Sequence, residues 1–239
     1  HMEFLIEALD GDVTAVRPPN LDPLPAGVDS NLVLEAVRFL QRSNIVIEPR
    51  RRWPQPGGLP RYHLNGNIRP EVRPEIGRAL SIWGDSGWGA RVRNGKYQEQ
   101  FFAEDLIHAC MSMLEEWDPQ PAPGWVTSIA SDRYPDLVPS FANRLAKELD
   151  LPYVSTLACS QSSGERSAMA NSVQRARTLD GSMDIDPSSV QEGPVLLVDD
   201  LVDTRWTMSI ASWLLRSNGS GPVYPLALAY MGWRTDQSN

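Results

Sequence analysis

The sequence predicts an α/β protein, with a parallel sheet flanked by helices over residues 97–239 and a small α+β module ahead of it. Three observations carry this. From Pro123 onward, strand-like apolar runs alternate with helical ones, the pattern that places helices on the faces of a parallel sheet. The run Val195–Val198 is apolar throughout, as in a central strand buried on both faces. Asp199 and Asp200 follow it directly, at the carboxyl end of a strand, where open parallel sheets take their ligands.

The elements follow in order. Residues 3–9 read as a short helix and 11–29 as a proline-rich linker. Asp29 or Ser30 caps a helix over about 31–42, with Leu32, Leu34, Val37, Phe39 and Leu40 mostly on one side. Residues 44–48 are a short strand, 63–68 a weak one, 75–84 a short helix and 84–95 a glycine-rich stretch. A helix covers 101–117. Strands are expected at 125–130 and 153–157, with a helix over 137–149 between them. A polar stretch spans 160–189. The apolar strand 195–198, a helix over 207–217 and a strand over 223–230 complete the chain. This divides it into 1–28 (helix and linker), 29–96 (a small basic α+β module, a winged-helix-like arrangement being one form) and 97–239.

Composition narrows the function classes. Apolar residues are 41% and charged residues 22%, enough to build a core and too balanced for wholesale disorder. No apolar run approaches the length of a membrane span. No signal peptide is evident, and His1 and Met2 read as a tag scar. Two cysteines and three histidines are a poor supply for a disulfide scaffold, a zinc site or any His-based metal site. The expected location is cytoplasmic, with no membrane partner.

Charge is unevenly spread. Residues 1–40 carry net −5, residues 41–100 net +6 and residues 101–239 net −9. A basic middle between acidic flanks is a local electrostatic footprint. Arg50, Arg51, Arg52 and Arg61 are candidate contacts to DNA phosphates, with Trp53 and neighbouring aromatics, Trp83 and Trp88 among them, available to stack on unpaired bases. The competing reading is a solvated face over a small tryptophan core.

The sharpest chemistry lies in Val195–Thr207, VLLVDDLVDTRWT. A helix beginning near Thr207 offers free backbone N–H groups and hydroxyls to a phosphate. The carboxylates of Asp199 and Asp200 can accept hydrogen bonds from sugar hydroxyls or meet a hard cation such as Mg²⁺.

This stretch resembles the 5-phosphoribosyl-1-pyrophosphate (PRPP) binding motif of type I phosphoribosyltransferases: four apolar residues, two acidic ones and a short loop ending in Thr. The resemblance implies that Asp199 and Asp200 bind ribose hydroxyls and that the loop Asp203–Thr207, with Thr204, Arg205 and Thr207, holds the 5′-phosphate. It implies a catalytic carboxylate at Asp203 acting on the base, and Mg²⁺ with PRPP if the pocket is active. Ser131, Asp132 and Arg133 fall where the family grips pyrophosphate, and 160–178 where it has a mobile lid with Arg166, Arg175 and Arg177. One departure stands out: the family usually has Gly where this chain has Arg205. Either the pocket holds phosphate differently, or the fold has been kept without its ligand.

The whole chain also resembles, more loosely, the C-terminal region of bacterial RecQ-type DNA helicases that carry such a domain. The residues behind this are MEFLIEALD (2–10), IEPRRRWP (47–54), GRAL (77–80) and GDSGWG (84–89). AVRPPNL (15–21) stands where those helicases have a zinc-binding Cys cluster, so no zinc is expected. The sequence contains no GxxxxGK[ST] phosphate loop, so no ATPase motor is expected either. This resemblance implies an accessory region that contacts DNA, binds a nucleotide or PRPP, partners helicase motor domains and serves DNA repair. The alternative is an active transferase passing phosphoribose to a nitrogenous base, and a third reading is a protein-interaction fold. GDSG at 84–87 is read as a turn, not a protease signature; His63, His108 and Cys110 are read as structural.

Overall fold

A computed structural model describes residues 29–40, 44–129, 131, 133–159, 173 and 177–231. The expected helix at 3–9 and linker at 11–29 lie largely or wholly outside these. The chain divides into two compact units at Ala36/Val37. Of the first, only residues 29–36 are described; they open helix α1 (Ser30–Leu40), with Asp29 Oδ1 accepting from the Asn31 amide.

The second unit is built on one five-stranded sheet in the order β1-β2-β7-β6-β3. Its strands are β1 (Ile45–Ile47), β2 (Gly77–Ile82), β3 (Trp125–Ser128), β6 (Val195–Val202) and β7 (Val223–Tyr230). Only the β1–β2 pair is antiparallel; β2–β7, β7–β6 and β6–β3 are parallel. The expected α/β class is therefore what forms.

Side-chain alternation sorts the central strands into two cores. Val195 and Leu197 join Val223, Trp206, Ile210 and Leu214 on one face. Leu196 and Val198 join Leu106, Cys110, Phe141 and Leu145 on the other. Helices α3 (Glu104–Trp117) and α4 (Leu137–Glu148) cover that second face, and α5 (Trp206–Ser217) the first. A strand with every position buried must be apolar on both sides, and β7 is buried along all eight residues. Pro225 is tolerated there because β2 pairing starts only beyond it, at Arg78↔Leu226. Gly77 lies against it: a Cβ at Gly77 would meet the Pro225 carbonyl oxygen at 2.5 Å.

Several expectations are corrected. Residues 75–84 are not a helix but contain β2, whose strand character comes from pairing with β7. The part of the basic segment from β1 to β2 does not belong to a separate module, because both strands are hydrogen-bonded into the same sheet as β6 and β7. The weak strand at 63–68 reduces to isolated bridges, Leu59↔Leu64 and Arg52↔Asn67. Tyr153 only bridges to Val126. The strand after it is β4 (Leu157–Cys159), which pairs antiparallel with β5 (Met183–Ile185) as a separate ribbon. The apolar strand runs on to Val202, so Asp199 and Asp200 lie within β6 rather than past its end.

The glycine-rich stretch is a turn held by Asp85, whose carboxylate accepts from the amides of Ile82, Gly87 and Gly89. It leads into helix α2 (Trp88–Asn94) and a π-helical turn, Gly95–Glu99. Cys110 is fully buried on α3, and that burial pushes its thiol up. His63 and His108 are exposed. Among the described residues no helix is long and apolar enough to cross a membrane.

Candidate functional site

The carboxyl ends of four parallel strands frame one cavity of about 450 Å³, a small-molecule size. Trp83 follows β2, Ile129 and Ser131 follow β3, Asp199–Arg205 span the end of β6, and Met231 follows β7; all line it. This is where ligands bind on open parallel sheets. Lys96 and Tyr97 enter from the π turn, Cys159 and Met183 from the β4–β5 ribbon with Ser182 just before it, and Thr207 and Met208 from the start of α5.

Asp199 and Asp200 are buried carboxylates, 8% and 6% exposed. Asp199 Oδ1 accepts from the Asp200 amide at 2.8 Å. Burial, and then the neighbouring Asp200 charge, push the Asp199 carboxyl up to about 8. Asp200 is paired with Lys96, whose Nζ lies 2.7 Å from Oδ2. Burial alone would pull the Lys96 ammonium down, but Asp200, with Asp199 behind it, outweighs that and holds it above its usual value. Lys96 belongs to no motif and lies more than a hundred residues upstream, so the sequence pointed nowhere near it.

The loop after β6 turns into α5 at Arg205. Arg205 adopts φ 66° and ψ 1°, the left-handed conformation that glycine reaches without cost. The first α5 hydrogen bond runs from the Ser209 amide to the Arg205 carbonyl at 3.0 Å. The amides ahead of it are the ones a helix N-terminus offers to an anion. Thr204 and Thr207 line the cavity beside them, as does Asp203.

Arg50 holds this loop from outside. Its Nε donates to the Thr204 carbonyl at 2.6 Å, and its guanidinium lies 3.9 Å from the centroid of the Trp206 ring. Arg205 Nη1 reaches the Glu48 carbonyl at 3.4 Å. The segment expected to face DNA thus braces the loop.

The remaining candidates divide. Trp53 is 3% exposed, packed in the core on the α5 side of the sheet, so it cannot stack on bases; this corrects the expectation. Arg50 is half-buried and engaged with the loop. Arg51, Arg52 and Arg61 are exposed, with the Arg61 amide donating to Asp180. Ser131 lines the cavity, whereas Arg133 does not: it is exposed, its guanidinium 5.4 Å from the Tyr134 ring centroid. Asp132, Arg166 and Arg175 lie outside the described residues. Arg177 is exposed and donates to the Pro56 carbonyl.

The fold and site define an α/β protein with a charged pocket at the carboxyl ends of a parallel sheet. No family model matches the chain, and no curated protein matches it. Solved structures similar to it include three adenine phosphoribosyltransferases. That of Leishmania tarentolae is 17% identical over 53% of this chain and 71% of its own, with a TM-score of 0.36. That of Saccharomyces cerevisiae, complexed with an imino-altritol bisphosphate and adenine, is 14% identical over 82% and 89%, with a TM-score of 0.38. That of Thermoanaerobacter pseudethanolicus is 14% identical over 82% and 99%, with a TM-score of 0.38. The α/β class stands on the chain's own strand order.

Proposed function

We propose that the cavity binds a phosphorylated sugar bearing pyrophosphate, of the PRPP kind, together with Mg²⁺, and that the chain transfers its phosphoribosyl group to a nitrogenous base. One observation supports this reading: within the loop Asp203–Thr207, Arg205 takes the left-handed conformation that glycine reaches without cost, so the loop turns there as a glycine would turn it. The amides at the start of α5, with Thr204 and Thr207, then take the 5′-phosphate. Asp199 and Asp200 accept from the ribose hydroxyls. At C1′ the bond to the pyrophosphate oxygen breaks, its electron pair leaving with pyrophosphate. The base nitrogen supplies the pair for the new C1′–N bond, and its proton passes to Asp203. Fixed donors aimed at the developing charges lower the barrier.

The residues fit a divalent cation. Asp199 and Asp200 are hard oxygen donors at the cavity wall. That suits Mg²⁺, which keeps several waters and shares one or two carboxylates with substrate phosphates. When bound it supplies charge neutralisation to the departing pyrophosphate.

The helicase-accessory reading ranks second. It retains the exposed Arg51, Arg52 and Arg61 as DNA contacts but loses Trp53 to the core and Arg50 to the loop.

Pyrophosphate release from PRPP over a panel of purine and pyrimidine bases tests the proposal. Release with at least one base, lost in Asp203→Asn with the fold intact, supports it. No release with any base overturns the transfer step.

A further inference from the structure

Of the 22 basic residues only two are lysines, Lys96 and Lys147, and Lys96 is the one that reaches the cavity. Its Nζ lies 2.7 Å from Asp200 Oδ2, the two side chains 14% and 8% exposed. Asp199 is on the same cavity wall. The backbone beneath Lys96 is firmly seated. The π turn Gly95–Glu99 packs so closely that a Cβ at Gly95 would meet the Phe101 carbonyl oxygen at 2.7 Å and the Phe102 ring at 2.9 Å. The Phe101 amide also donates to the Gly95 carbonyl at 3.0 Å. π turns inside helices recur at functional sites.

We infer that Lys96 is an exchangeable counter-ion: it neutralises Asp200 in the ligand-free cavity and passes to ligand phosphate when a cation and an anionic ligand enter together. A divalent cation arriving alone must compete for Asp200 with an ammonium already in contact, and that ammonium repels it. A cation arriving with pyrophosphate brings acceptor oxygens onto which Lys96 moves, leaving both carboxylates to the incoming charge. A lysine suits this exchange, being a compact charge on a freely rotating stem, where an arginine fork would hold its carboxylate bidentately. The cavity would then load its cation and its anion as one unit. The anionic half of this inference rests on the sugar-phosphate reading; the cation half does not.

The test uses the full chain and two probes. Mn²⁺ alone is titrated and followed by the electron paramagnetic resonance of the free ion; Mg²⁺ with inorganic pyrophosphate is titrated by calorimetry. Lys96→Met should bind Mn²⁺ about tenfold more tightly than wild type, the scale set by removing a like charge at a partly solvated site. It should bind magnesium pyrophosphate about tenfold more weakly, having lost one charge-assisted contact. Lys96→Arg should stay nearer wild type on both, and Lys96→Met/Asp200→Asn should lose the Mn²⁺ gain. Lys96→Gln, which keeps a donor for Asp200, serves if Lys96→Met does not fold. Mn²⁺ affinity unchanged or weakened in a folded neutral variant overturns the inference, as does no Mn²⁺ binding to any variant. Failure of the sugar-phosphate reading shows differently: wild type ignores PRPP while the Mn²⁺ ordering still holds.

Discussion

The Arg50 guanidinium sits 3.9 Å from the centroid of the Trp206 ring while its Nε donates to the Thr204 carbonyl at 2.6 Å. One side chain from the β1 side of the sheet therefore grips both ends of the Thr204–Trp206 turn. The contact spans 154 residues of sequence. It makes part of an apparent DNA footprint a support for the loop Asp203–Thr207.

Removing that grip should loosen the loop. Arg50→Ala loses a cation–π contact and a hydrogen bond, together about 1–3 kcal/mol of stability. Arg50→Lys should recover only part of this, since it lacks the planar fork and the Nε donor. Arg51→Ala, at an exposed neighbour, should stay within about 0.5 kcal/mol of wild type. Chemical denaturation of the three variants checks the order, and an Arg50→Ala as stable as Arg51→Ala would contradict it.

Arg205 carries backbone strain and a side chain that separate cleanly by mutation. A non-glycine residue in the left-handed region costs about 1–2 kcal/mol. Arg205→Gly relieves this and gives part back as unfolded-chain entropy, leaving the fold as stable or up to about 1 kcal/mol more stable. Arg205→Ala keeps the strain and loses the contact to Glu48, so it should be the less stable of the two. Melting curves of both decide. Ribose 5-phosphate titrations on the same pair then report whether the guanidinium itself adds to phosphate binding.

The raised Asp199 carboxyl has a definite pH signature. Its value in the fold, about 8, stands above the 3.8 of the unfolded chain. The folded state therefore holds a proton that the unfolded state releases, and the associated stability is fully present below pH ~4 and lost as pH rises through ~8. Ligand-free wild type should lose melting temperature across that window, and Asp199→Asn should flatten the trend. Sugar hydroxyls and cations favour the carboxylate form, so their binding near neutral pH should release a proton. Calorimetry in buffers of different ionisation enthalpy measures that release.

For the second-ranked reading, the exposed arginines set the expectation. Any affinity for single-stranded DNA should fall with salt, and Arg51→Ala/Arg52→Ala should lower the log–log slope by about 1–2. Trp53→Phe should leave that affinity unchanged, because Trp53 is buried. A salt-independent affinity would remove the arginines from the account.

How much of this was readable in the sequence follows from the range of the forces involved. β6 and β7 are eight-residue strands buried along nearly their whole length, so their burial is written into consecutive side chains. The amphipathic helices α3 and α4 fell within a few residues of their expected bounds. GRALSI was misread as helical because a short apolar run with alanine and leucine fits either state. Its strand identity is conferred by pairing with β7, whose Leu228 carbonyl accepts from the Ser81 hydroxyl across 147 residues. Asp199, Asp200, Asp203, Thr204 and Thr207 were legible because one strand and one helix start carry them all. Lys96 and Arg50 were not, since each reaches the site only through tertiary packing that brings a distant segment to the end of β6.

The most direct measurement is a calorimetric titration of PRPP with Mg²⁺ into wild type and into Asp199→Asn/Asp200→Asn. Saturable binding by wild type, lost in the double variant while its fold is retained, is the expected result. No heat from wild type at millimolar PRPP, or equal binding by both proteins, would contradict the account.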